Sequence, residues 1–142
     1  MRHRTGFTVI ELLFTIVLLG AASVIFFIQK NNIEVTARDT QRKTAINAMH
    51  LSLEEVYYKN HSSYPRTLDA TTLPSVDEAL FTDPNGIKLG QTTVTVDDTS
   101  YPVESNYRYE ATDCAEDKCK SYTLRTTLEN EDDFVKKNRD RN

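Results

Sequence analysis

The chain has no tryptophan, and only two cysteines, four glycines, four prolines and three histidines in 142 residues. Each scarcity excludes something. His3, His50 and His61 stand far apart, with no nucleophile–base pattern around any of them. The four glycines form no glycine-rich loop able to cradle a phosphate. An enzyme is therefore not expected, and no cofactor is called for. Cys114 and Cys119 lack the two further ligands that zinc requires, and the adjacent Asp113, Glu116 and Asp117 are hard oxygen donors. Those acids, and the Asp97-Asp98 pair, are where calcium would be sought, but no ligand pattern of the EF-hand kind accompanies them. No metal is expected.

Charge is also missing, locally, from the N-terminal part. Between Phe7 and Ile28 the only charged residue is Glu11. About 22 residues at ~1.5 Å each make a helix of roughly 33 Å, enough to cross a bilayer. A carboxylate at the centre of such a helix costs about 2.5–3.5 kcal/mol on insertion scales, so it needs a partner or a task. Arg2, His3 and Arg4 precede the run, which suits a cytoplasmic N-terminus with everything after Ile28 on the far side. Beyond Ile28 the chain is polar, and a length of this order predicts one domain with a small core. In the oxidising setting beyond a membrane, Cys114 and Cys119 are expected to form a disulfide.

The run Arg4-Thr5-Gly6-Phe7-Thr8-Val9-Ile10-Glu11-Leu12-Leu13-Phe14 resembles the prepilin signature of type IV pilins and type II secretion pseudopilins. The resemblance implies cleavage after Gly6, N-methylation of the new N-terminal Phe7, and a functional glutamate at Glu11. The stretch Tyr57–Leu68 resembles the segment joining helix to head in that family. The function implied is structural: subunits stored in the membrane polymerise with like subunits through their N-terminal helices. The partners implied are a prepilin peptidase, a polytopic platform protein and an assembly ATPase, with membrane lipid as the surroundings before assembly. Which filament, whether a pilus, a competence pilus or a secretion pseudopilus, stays open.

Cleavage would remove Arg2 and Arg4. The 17 basic residues less these two leave 15 against 21 acidic ones, a formal charge of −6. An acidic body argues against broad nucleic-acid binding. Lys136, Lys137, Arg139 and Arg141 are basic, but Glu131, Asp132, Asp133 and Asp140 interleave with them. Cleavage would also create an ammonium at Phe7 at the edge of hydrocarbon, which Glu11 of an adjacent subunit can neutralise. Phe7 and Glu11 are four apart, so pairing within one helix competes. Gly20 interrupts the apolar run, and with Ala21, Ala22 and Ser23 it offers either a close-packing site or a weak point where the helix unwinds. An ordinary signal peptide cut near Gly20-Ala21-Ala22 is the competing reading, and it leaves Val24–Ile28 as an apolar new N-terminus. The alternative function is a monomeric membrane-anchored or secreted extracellular binding module. A mature N-terminus at Phe7, Ser23 or Met1 separates these cases.

The expected fold is α+β. From Gln29 to Lys59 there is neither Gly nor Pro, so one helix is predicted from about Phe7 to about Lys59. Ile46, Met49, Leu53 and Val56 recur at spacings of 3, 4 and 3, one helical face. Arg38, Asp39, Arg42, Lys43, Glu54 and Glu55 are expected to fill much of the rest. His61–Pro65 should break the helix, and Ser75-Val76-Asp77-Glu78 fits a capping box for a short helix through Leu80. Strands are expected at 92–96, 107–111 and 121–128, the last two as a hairpin around the cysteines. The organisation is thus a leader at 1–6, a membrane and assembly half-helix at 7–28, an amphipathic half at 29–60, an antiparallel α+β head at 61–130, and a charged tail at 131–142 expected to fray.

Overall fold

The computed structural model describes residues 8–140, in two compact units that divide after Thr36. Gly6 and Phe7 lie outside the described residues. Helix α1 runs Val9–Ser52 through both units. It starts at Thr8, whose carbonyl accepts from Leu12 N and whose hydroxyl accepts from Glu11 N at 3.4 Å. Within the apolar part, Thr15 and Ser23 donate their hydroxyls to the carbonyls of Leu12 and Leu19 at 2.8 Å, which hides polar groups a membrane would not solvate.

In the second unit the core side of α1 carries Ala45, Ile46 and Met49, and Leu53 continues it just beyond, each at most 1% exposed. Val56, expected on that face, is 43% exposed instead. The cause is a π-helical turn at Leu53–Tyr57. It inserts an extra residue into the turn, so the face slips by one position and Tyr57 and Tyr58 replace Val56 against the core. Helix α2, Tyr58–His61, closes on Ser62 in the left-handed region at φ 54°, whose amide donates to Tyr58 O. The helical stretch thus ends where the sequence predicts.

A four-stranded antiparallel sheet packs on this helix face. Its strands are β1 (Tyr64–Pro65), β4 (Tyr107–Ala115), β5 (Lys118–Thr126) and β6 (Phe134–Lys137). Strand β5 is central; β4 flanks one edge, and β1 and β6 share the other. The expected hairpin is thus present, and the tail expected to fray instead supplies β6. Period-two burial anchors it, since Phe134 and Lys136 are half-buried while Val135 and Lys137 are exposed. Strands β2 (Thr93–Val96) and β3 (Thr99–Pro102) form a separate hairpin. Its turn, Asp97-Asp98, has φ 48° and 61°, the left-handed pair that matches strand twist and that aspartate tolerates. The predicted short helix is a single 3-10 turn, Glu78–Phe81, capped by Asp77 rather than Ser75: the Asp77 carboxylate accepts from Ala79 N at 2.9 Å.

Cys114 and Cys119 are disulfide-bonded and sit directly opposite each other across β4 and β5, with Cα atoms 3.9 Å apart. Closing so short a loop is worth about 2 kcal/mol by chain entropy. Thiol labelling of the denatured, exported protein should find no free thiol. Two labelled cysteines per chain would contradict the bond.

Candidate assembly surface

In the first unit the apolar residues of α1 are exposed almost throughout. The 18-residue window of highest hydropathy is 0% buried and is long and apolar enough to cross a membrane. Glu11, its one carboxylate, lies in the first helical turn, three residues after the capping Thr8. This is capping-box spacing, and a carboxylate there also meets the positive end of the helix dipole. Gly20 sits within continuous helix, and a Cβ added to it would meet nothing within 4 Å. No packing inside the chain requires a glycine there.

In the second unit the charges of α1 are drawn to one side. Arg42 is 1% exposed, though the sequence reading placed it and Asp39 among surface charges. Its guanidinium donates to Asp83 at 2.8 Å, to Asp39 at 2.9 Å and to Glu129 at 2.8 Å. Asp39, 3% exposed, also accepts from the amides of Glu129 and Asn130. Burial pushes the Asp39 carboxyl up, but these amides and Arg42 outweigh it and hold it below its usual range. The Arg38 and Arg42 guanidiniums hold Glu129 down to about 2. Lys43 pairs with Glu131 at 2.6 Å. Every charge from Arg38 to Lys43 is thus tied to the head.

The outward face of the same stretch, Ala37, Thr40, Gln41, Thr44, Asn47 and Leu51, is exposed and carries no charge. On a solvated helix this face would ordinarily be the charged one. The π-turn brings in a second buried acid that the sequence reading assigned to the surface. Glu54, 0% exposed, accepts from the hydroxyls of Tyr64 at 2.9 Å and Tyr122 at 3.0 Å, and from Arg139 N at 3.4 Å. His50 bonds the Tyr122 hydroxyl through Nδ1 at 2.7 Å, and burial pulls its pKa down.

Among the described residues no group of three or more His, Cys, Asp and Glu side chains is arranged to hold a metal. The structure brings together Cys114 with Cys119, but not Glu11 with Gly20, which are separated along one helix. No profile of a known family matches the chain, and neither a characterised protein nor a solved structure matches it.

Proposed function

We propose that this protein is a non-enzymatic structural subunit of the type IV pilin and pseudopilin kind, which polymerises through its N-terminal helix. One observation carries the reading. The longest helix of the chain presents an apolar length with none of its most hydropathic window buried, broken only by Glu11. Such a helix needs lipid or other copies of itself around it. The uncharged outward face from Ala37 to Leu51 adds support, because it suits contact with neighbours better than contact with water. The subunit is stored in the cytoplasmic membrane with its N-terminus inside, and its head ends in a periplasmic or extracellular filament. A prepilin peptidase, a platform membrane protein and an assembly ATPase act on it. Gly20 lets helices approach closely in the filament core.

Processing tests the reading most directly. Mature subunit should begin at Phe7 with a methylated amine, and Gly6→Leu should leave the full-length precursor in the membrane. A mature chain beginning at Ser23, or normal processing of Gly6→Leu, overturns it in favour of a secreted binding module or an ordinary exported protein.

A further inference from the structure

The head contains two β elements that lack partners. The first is the β2–β3 hairpin. Among the described residues it pairs only with itself, and a two-stranded hairpin alone is marginal in water. Val94 and Val96 share one of its faces with Tyr101, which stands opposite Val94. Val94 is half-buried, but Val96 and Tyr101 are each 53% exposed, so the outer part of this apolar face is uncovered. The second is β4. It ends the sheet order, so among the described residues its outer edge has no strand beside it. A nine-residue open edge invites strand addition.

A groove of about 430 Å³ is lined by the start of β4, from Tyr107 to Glu110, and by the apolar side chains of Leu68, Leu89 and Val103. Arg66 also lines it. Arg66 donates Nε and NH2 to the carbonyl of Glu116 and has no carboxylate partner among the described residues. The hairpin has the complementary charge: Asp97 and Asp98 form its tip, and neither has a cationic partner among the described residues. Strand β2, Thr93–Val96, is neutral and four residues long, which is the length of β4 that lines the groove.

We infer that the β2–β3 hairpin of one copy of this chain docks in the β4 groove of the next copy. The hairpin edge adds to β4, its valine face covers the half-buried Leu89 and Val103, and its acidic tip meets Arg66. Donor and acceptor are different surfaces, so the contact is head-to-tail, and it repeats as an open array wherever its rotation does not close a ring. It rests on the filament reading above and specifies how heads join. Main-chain pairing along the edge gives affinity, and the alternating Thr-Val side chains give register.

The test is a photo-crosslinking residue at Val96 in full-length protein, irradiated in cells that make filaments. Expected is a ladder of dimers and larger species, with the crosslinked peptide mapping to residues 66–68 or 103–110. Arg66→Asp should lower the yield of sheared filament by about tenfold, and Asp98→Lys in the same chain should restore it, as paired charges at an interface do. Filaments that form without this ladder, or whose crosslinks map elsewhere, overturn the strand contact and leave the filament reading standing. Wild-type protein that forms no polymer at all overturns both.

Discussion

Glu11→Val should leave the protein inserted, cleaved after Gly6 and correctly disulfide-bonded, yet lower its yield in sheared fibres by at least about tenfold, the factor that ~1.4 kcal/mol gives. The head lies in the unit after Thr36, so its folding does not depend on this side chain. In the filament proposed above, loss of the carboxylate would leave the Phe7 amine of a neighbour without a partner in hydrocarbon, where an uncompensated charge is costly. The structure adds a rival account, because Glu11 stands at capping-box spacing from Thr8, whose hydroxyl accepts from the Glu11 amide. Glutamine also completes a capping box but carries no charge. Glu11→Gln therefore separates the two: a cap keeps near-wild-type assembly, and charge pairing loses much of it, to a yield between valine and wild type. The measurement is the fraction of subunit in fibres against membranes, in cells lacking the wild-type copy. Wild-type fibre yield from Glu11→Val would mean that the glutamate is tolerated rather than used.

Arg42→Ala should destabilise the head by about 3–5 kcal/mol, the usual cost of removing one member of a buried ionic group. Asp39 and Asp83, 3% and 2% exposed, would then be buried beside each other without their shared cation. Full-length protein in detergent should melt more than about 10 °C lower by near-ultraviolet dichroism. Arg42→Lys should recover part of the loss, since an ammonium supplies charge but not the fork that reaches three carboxylates. Acid sensitivity should change as well. Asp39 and Glu129 have folded pKa values below their ordinary ones, so their contribution is present above the ordinary carboxylate range and is lost as pH falls through the folded values, for Glu129 about 2. Without Arg42 that acid limb should be shallower. A melting temperature within about 2 °C of wild type would show that the cluster adds nothing net to the fold.

The sequence was also misleading where this cluster forms. Asp39, Arg42, Ile46, Met49 and Leu53 follow one another at spacings of 3, 4, 3 and 4, so the two charges sit on the same helical stripe as the core residues. That spacing was visible. Its meaning was not, because a buried arginine is credible only with acids in reach, and Asp83 and Glu129 come from segments 41 and 87 residues away. The uncharged outward face from Ala37 to Leu51 follows from the same stripe and is equally visible in the charge pattern of the sequence.

Local patterns decided much of this protein. A run free of charge but for Glu11 makes a helix apolar enough for a membrane, the breaker run His61–Pro65 ends the helical stretch, and the left-handed tolerance of Asp97-Asp98 turns the hairpin. The alternation around Cys114 and Cys119 sets β4 against β5 with the cysteines opposed. Each is a property of neighbours in the chain, legible because helix period, strand period and turn chemistry act over a few residues. Tertiary structure decided the rest. The π-turn at Leu53–Tyr57 moves Val56 out and Glu54 in, and only Tyr64, Tyr122 and Arg139 make a carboxylate acceptable there. The charged tail becomes β6 because β5 leaves an edge open beyond β1 for residues 134–137 to fill. Burial of polar groups and pairing of strand edges depend on partners distant in sequence, and the energy of those contacts overrides what each segment prefers alone.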